Sequence, residues 1–317
     1  MADDFHVMNK ALKVKAEQAA SHLQLSTRRT RLCWTVAVQN LLLEKRRMDF
    51  EQIRQRYAGK AIQEWERLCS TPIRRIEYMI TSHFLNRYLP KSGLILDAGS
   101  GPGRYTIDLG RKGYRVVMFD LLHEMLQLGQ QKVAENNMQE KVMLVEGNIV
   151  TLPYQDNSFD AVICLGAPLS HITDSQARSR AVAEIARVVK HGGQVFLTGL
   201  ARLACYRGTV YWLKQNPEFF EQIMTAEYRD CGIMDGSQVW YNFVTGELEG
   251  LAQGAGLQVI DRVGCEGLAN HLPAENLEQI EADERYWPVW KEILLETCNE
   301  PSIIGISNHL LVVACKP

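Results

Sequence analysis

The chain has 317 residues, about twice an average domain, which suits one large α/β domain with additions or two small domains. With 46% hydrophobic residues, 23% charged residues, 23 Gly, 10 Pro and a net charge of −2, its composition excludes a disordered chain, a collagen and a coiled-coil rod. It has no run of about 18 apolar residues, and the start at Asp3 and Asp4 is acidic where a signal peptide is basic, so a cytoplasmic protein with no membrane association is expected.

The small net charge hides an asymmetry. Residues 1–90 carry 16 Lys and Arg against 9 Asp and Glu, whereas the remainder carries 19 against 28. A basic lead of this kind is expected to cover the acidic body of its own chain, and the same surplus would also suit nucleic acid or a membrane surface. The eight cysteines, at 33, 69, 164, 205, 231, 265, 298 and 315, form no CxxC pair and have no paired histidine spacing. Zinc and iron–sulfur sites are therefore not expected, nor is any other metal.

Residues 7–88 read as helices. Apolar residues recur at three- and four-residue spacing through Leu12–Leu23, Leu32–Leu43 and Ile73–Leu89, and Pro90 closes the block. From residue 91 the pattern becomes short β-rich runs separated by helical stretches, the alternation of parallel strands with crossover helices. The runs are Leu94–Ala98, Arg115–Phe119, Val142–Glu146, Ala161–Leu165, Gln194–Thr198, Leu257–Val263 and His309–Ala314. The expected architecture is α/β, with a helical extension over 1–90 and a seven-stranded domain over 91–317. Two connections, 199–256 and 264–308, are long and rich in aromatic residues, and the first is expected to be a lid insertion after strand five.

A strand runs into a glycine loop and then a helix at Leu94-Ile95-Leu96-Asp97-Ala98-Gly99-Ser100-Gly101-Pro102-Gly103-Arg104-Tyr105. Such a loop needs glycine because the chain turns tightly and its backbone approaches a ligand with no Cβ between them. A dinucleotide fingerprint places its third glycine five positions after the first, which is Arg104 here, whereas this loop has Gly103. Pyrophosphate binding loses ground. The second strand is followed by Asp120, 21 residues after Gly99, where a carboxylate accepts from both ribose hydroxyls of a nicotinamide or an S-adenosyl cofactor.

Later stretches decide between the two cofactors: Val145-Glu146-Gly147-Asn148-Ile149-Val150-Thr151-Leu152-Pro153, then Asp156–Ile163, and the turn Arg187-Val188-Val189-Lys190-His191-Gly192-Gly193. With Gly99–Gly103 and Asp120, they make residues 85–200 resemble the class I S-adenosylmethionine-dependent methyltransferase family. The resemblance implies a Rossmann-like seven-stranded sheet with its last strand antiparallel, S-adenosyl-L-methionine as cofactor and S-adenosyl-L-homocysteine as product. It places Asp97, Gly99, Gly101 and Gly103 in the loop beneath the methionine part of the cofactor, and Asp120 on the ribose with Leu121 beside the adenine. It sets Asn148, where the family has Asp, towards the adenine amino group with Ile149 on the ring, and puts Leu165 and Gly166 near the sulfonium. A looser resemblance, to members with small-molecule acceptors, covers Glu64-Trp65-Glu66-Arg67-Leu68, Gly264-Cys265-Glu266-Gly267-Leu268 and Ser307–Ala314, and names no substrate.

Methyl transfer from a sulfonium is an in-line displacement, so the protein aligns the reactants and excludes water; a general base matters only for acceptors that must lose a proton. The acceptor is expected to be a small organic molecule methylated on O, N or S. His171, just past the fourth strand, is the candidate catalytic residue, because a neutral imidazole is the natural base near pH 7. The insertion supplies a candidate aromatic acceptor wall in Tyr206, Tyr211, Trp212 and Tyr241, and Tyr57, Trp65 and Arg67 are placed to close over the cofactor.

A rival reading is an RNA or protein methyltransferase that uses the basic helices, with Arg28, Arg29, Arg31, Lys45, Arg46, Arg47, Arg54 and Arg56 as phosphate contacts. Against nucleobases, the segment after strand four reads Gly-Ala-Pro-Leu rather than Asn/Asp-Pro-Pro-aromatic, and Cys164 lies within an apolar run rather than in a Pro-Cys motif. Another rival is a cofactor-binding regulator without turnover. The leading helices also offer a surface for a homodimer.

Overall fold

The computed structural model describes residues 50, 51, 53–215, 217, 231–233 and 239–317. The predicted helices Leu12–Leu23 and Leu32–Leu43, with the basic residues Arg28 to Arg47, lie outside the described residues, as do the side chains of Tyr211 and Trp212. Residues 53–57 are helical and lead into α1 (Ala61–Glu66), a tight turn at Arg67–Cys69, and α2 (Pro72–Tyr88). Thr71 is extended and Pro72 occupies the first turn of α2, where its missing N–H costs nothing.

From there strands and helices alternate: β1 (Leu94–Ala98), α3 (Arg104–Arg111), β2 (Arg115–Asp120), α4 (His123–Glu135), β3 (Val142–Glu146), β4 (Phe159–Cys164), α5 (Ser175–Val188) and β5 (Val189–Leu200). After β5 come α6 (Arg202–Gln215) and an antiparallel hairpin of β6 (Cys231–Ile233) and β7 (Val239–Tyr241). The chain ends with α7 (Glu247–Gly254), β8 (Gln258–Gly264), α8 (Ala274–Ala282), α9 (Tyr286–Thr297), α10 (Pro301–Ile304) and β9 (His309–Cys315).

Seven strands form one sheet in the order β3-β2-β1-β4-β5-β9-β8. The first five run parallel, and β9, last in sequence, is antiparallel to both neighbours. A parallel sheet covered on both faces needs apolar residues on both, and alternate positions divide accordingly. Leu96, Ala98, Val117, Phe119, Val162 and Cys164 pack with α5 and α7, while Ile95, Val116, Ala161 and Ile163 pack with α2 and α9.

β5 is longer than its apolar run because β9 pairs with it from Gln194↔Cys315 to Leu200↔His309, so the backbone ladder carries the strand beyond Thr198. From β1 the chain steps outwards to β2 and β3, then returns to add β4 and β5 on the other side. The crevice above the carboxyl ends of β1 and β4 is thus the topological switch point, where ligands of open α/β sheets sit.

Candidate active site

That crevice holds a cavity of about 990 Å³ of non-atom space, including its open mouth. The glycine loop forms one wall. Gly99, Gly101 and Gly103 all adopt left-handed φ values of +79°, +54° and +87°, and the Gly99 and Ser100 N–H groups donate to the Phe119 carbonyl at 2.8 and 3.1 Å. A Cβ on Gly99 would lie 2.6 Å from the Pro168 ring, whereas one on Gly101 would meet no protein atom within 4 Å and would project into open space. Gly101 therefore leaves backbone bare towards the cavity, as a bound adenosyl cofactor requires.

Asp120 ends β2. Its Oδ2 accepts from the Gly101 N–H at 2.7 Å and its Oδ1 from the Leu122 N–H at 2.9 Å, which locks the carboxylate to the glycine loop. Burial raises its pKa to about 6, against the pull of those N–H donors. A carboxylate has about four lone-pair directions, so two remain for ribose hydroxyls. Leu121, Leu122, Met125, Gly147, Asn148 and Ile149 line the same end. The Asn148 Oδ1 already accepts from the Val150 N–H at 3.0 Å, which leaves its second lone pair for an adenine amine.

Asp97 and Gly103 are not among the lining residues; they act from behind. The Asp97 carboxyl is buried and accepts from the Thr106 hydroxyl at 2.6 Å, and burial raises its pKa to about 7. Gly103 starts α3 in a left-handed conformation beside the Met118 thioether.

Beyond β4, Leu165, Gly166, Pro168 and His171 line the cavity, and Gly166 and Ala167 are both left-handed. The Ala167 N–H donates to Thr198 Oγ1 at 2.8 Å, which pins this strained turn to β5. His171 Nε2 shares a hydrogen bond of 3.0 Å with the Tyr57 hydroxyl, and its ring meets Tyr57 and Trp240 edge to face. Burial, with the Arg56 charge, lowers its pKa to about 4, and burial raises that of Tyr57 to about 12. At neutral pH the pair is uncharged, and His171 is a hydrogen-bonding group more than a proton acceptor.

The helical lead forms the facing wall, with Phe50, Ile53, Tyr57, Glu64, Arg67 and Leu68 on the cavity. Arg104 joins the two walls: its guanidinium stacks 3.9 Å from the Trp65 ring centre and donates to the Trp65 carbonyl.

Of the predicted acceptor residues, Tyr206 and Tyr241 are not among those lining the cavity. Tyr241 lies under the Arg178 guanidinium, 3.4 Å from its ring centre, and against Phe243. Its neighbour Trp240, also absent from the cavity lining, packs on the lining residue His171 and lies 3.6 Å beneath the Arg56 guanidinium, because consecutive strand residues face opposite ways. The inserted α6 contributes Ala204 and Arg207 to a second hollow, shared with Asn270, Leu272 and Asn308. Cys164 is buried and its thiol pKa is pushed well up, so it offers no thiolate nucleophile. The sequence analysis named Glu64 within the segment Glu64–Leu68 without placing it on the cavity, and it did not name Phe50.

The switch-point cavity, the glycine loop and the acid at the end of β2 stand where the resemblance to class I S-adenosylmethionine-dependent methyltransferases places them. Residues 95–193 match the methyltransferase domain family, and the chain carries that domain. It is 34% identical over 121 residues to a demethylmenaquinone methyltransferase of Lactiplantibacillus plantarum, covering 37% of this chain and 46% of that protein. It is also 34% identical over 134 residues to the ubiquinone/menaquinone biosynthesis C-methyltransferase UbiE of a Bradyrhizobium species, covering 40% and 50%. The chain spans about half the length of the curated relatives it matches. Among solved structures, an S-adenosylmethionine-dependent methyltransferase from Methanosarcina mazei shares the fold with a TM-score of 0.51 and 19% identity, over 74% of this chain and 96% of that one. Among the described residues no helix is long and apolar enough to cross a membrane.

Proposed function

We propose that the chain is an S-adenosylmethionine-dependent methyltransferase of a small organic acceptor, with residues 91–317 as the catalytic domain and 1–90 as its helical cover. The observation that carries this reading is the bare backbone of Gly101 bonded to Asp120, facing a cavity that Asn148, Ile149, Leu165 and Gly166 complete. The cofactor, when bound, supplies an electrophilic methyl group on a sulfonium. In this reading Asp120 holds the ribose hydroxyls, Asn148 the adenine amine, Leu121 and Ile149 the two faces of the base, and Leu165 and Gly166 the sulfonium end. Asp97 and Gly103 shape the loop from behind.

The acceptor enters between His171 and the leading helix. With a pKa of about 4, His171 holds a proton too weakly at pH 7 to serve as a general base, and its role is to orient the acceptor through hydrogen bonds shared with Tyr57. That favours an acceptor atom already nucleophilic, such as a thiolate or the ring carbon of an electron-rich hydroxylated aromatic. The names of the quinone-pathway relatives add carbon to the O, N and S expected from sequence, and we place a quinol-like ring first.

Two measurements test this. Calorimetry is expected to show S-adenosylhomocysteine binding, with Asp120→Ala weakening it by about 30-fold for the loss of charge-assisted hydrogen bonds worth about 2 kcal/mol. Transfer of labelled methyl from the cofactor to a panel of quinols, catechols, thiols and amines identifies the acceptor. Absence of calorimetric binding overturns the function.

A further inference from the structure

Three segments singled out in the sequence, around Glu64–Leu68, Gly264–Leu268 and Ser307–Ala314, lie far apart in the chain and converge behind the helical wall of the cavity. Glu77 is buried at their meeting point. It accepts two bonds from Arg67 Nη1, both at 3.1 Å, and one from Arg74 Nη1 at 2.8 Å. His309 Nδ1 stands 3.7 Å from Glu77 Oε2 and 2.6 Å from Glu266 Oε1, and the His309 N–H donates to Glu266 Oε2 at 2.9 Å. Burial alone would raise the Glu77 pKa, but His309, Arg67 and Arg74 hold it down at about 2, so it stays ionised.

Glu77, Glu266 and His309 are close enough together to ligate a metal. Both guanidiniums already bond Glu77 and His309 already bonds Glu266, however, and a divalent cation would have to displace them. The consequence lies at the front of the network instead. With Nη1 committed to Glu77, Arg67 turns Nη2 towards Gly166, where a Cβ would come within 3.4 Å of it. Three residues earlier on the same helical surface, Glu64 also lines the cavity, its Oε2 3.5 Å from Arg67 Nε. One carboxylate and one guanidinium thus stand side by side on the cavity wall, with the guanidinium beside Gly166. An adjacent acid and base of this kind complement an α-amino-acid zwitterion, whose ammonium and carboxylate sit on one carbon.

We infer that Glu64 and Arg67 form the receptor for the amino-acid end of the cofactor, Arg67 taking its carboxylate and Glu64 its ammonium, with Glu77 as the positioning residue that fixes Arg67. This rests on the cofactor reading above. The test titrates the full chain with S-adenosylhomocysteine and with 5′-methylthioadenosine, which keeps the nucleoside and thioether and lacks the amino acid. Arg67→Met is expected to weaken S-adenosylhomocysteine at least 30-fold and Glu64→Gln about tenfold, with methylthioadenosine changed less than threefold. Arg67→Lys should recover part of the loss, and Glu77→Gln should weaken S-adenosylhomocysteine alone. Glu64→Gln, isosteric and only half-buried, keeps the inference falsifiable if Arg67→Met does not fold. Equal losses for both ligands, or unchanged S-adenosylhomocysteine binding by Glu64→Gln and Arg67→Lys, overturn the receptor. Failure of the unmutated chain to bind either ligand overturns the cofactor reading itself, a separate outcome.

Discussion

The two walls of the cavity are built in opposite ways. The glycine-loop wall is held by backbone hydrogen bonds between adjacent parallel strands and by left-handed glycines, and it presents main chain to the ligand. The helical wall is held by side chains: Tyr57 to His171 across 114 positions, Arg67 to Glu77, Arg104 to the Trp65 carbonyl, and Arg75 to Glu281 across 206 positions. A wall of main chain tolerates substitution poorly where a Cβ would enter it, but it depends on few partners. A wall of paired side chains can be dismantled one ion pair at a time. The difference teaches that cofactor binding is written locally, whereas the closing surface is written by contacts that span the chain.

The sharpest way to break this comparison is Gly101→Leu. With no protein atom within 4 Å of its Cβ, the substitution should cost the fold only about 1 kcal/mol for the left-handed backbone while abolishing S-adenosylhomocysteine binding. Thermal melting and calorimetry on one preparation check both halves, and retained binding would show that the loop is not the cradle.

Next in size is Glu77→Ala, which leaves Arg67 and Arg74 without their buried partner and should lower stability by about 3 kcal/mol in denaturant titration. A loss below about 1 kcal/mol would mean that water reaches the network and that the helical wall is not held by it.

Acidification separates the walls by pH. His171, lowered from 6.5 to about 4, takes up its proton later in the folded chain than in the unfolded one, so its contribution is present above pH 6.5 and is lost as the pH falls to 4. Asp97, raised from 3.8 to about 7, and Asp120, raised to about 6, work in the opposite direction over an overlapping window, so wild-type stability alone does not isolate the His171 contribution. The readout is the difference from His171→Gln: the variant should gain about 2 kcal/mol relative to wild type between pH 6.5 and 4.5. No relative gain would place His171 in contact with water.

The smallest effect belongs to Arg75→Ala. Its bidentate pair with Glu281 ties α2 to α8, but both groups reach solvent, and the loss should stay below about 1 kcal/mol and shrink further in salt.

How much of this was legible in the sequence follows the same division. β1 falls where its apolar run predicted, because a parallel strand buried on both faces reads as a continuous apolar segment, and β3, at the sheet edge with Met143 exposed, also falls where predicted. β5 outran its prediction through Gly192 and Gly193, residues with no strand signal of their own, because pairing partners extend a ladder where side chains do not. The β6–β7 hairpin, of three residues a strand, is too short to leave a periodic pattern. In the cavity, Gly99, Gly101 and Asp120 were readable from spacing, and the family resemblance placed Asn148 and Ile149. That Trp240 rather than Tyr241 packs on His171 was not, since which face of a strand meets a neighbour depends on a partner that the pattern does not name.

The sequence by itself determined the parallel sheet, the glycine loop and the acid 21 residues beyond Gly99, and its family resemblance implied the type of cofactor. Strand periodicity and the geometry of a turn act over a few neighbouring residues, so those features are fixed locally. Only the tertiary structure decided that Glu64 faces the cavity beside Arg67, that Glu77, Glu266 and His309 stand behind them, and that His171 is held neutral against Tyr57. Charge pairing and burial depend on residues brought together from α2, the turn after β8, and β9, and their positions exist only once the chain has folded.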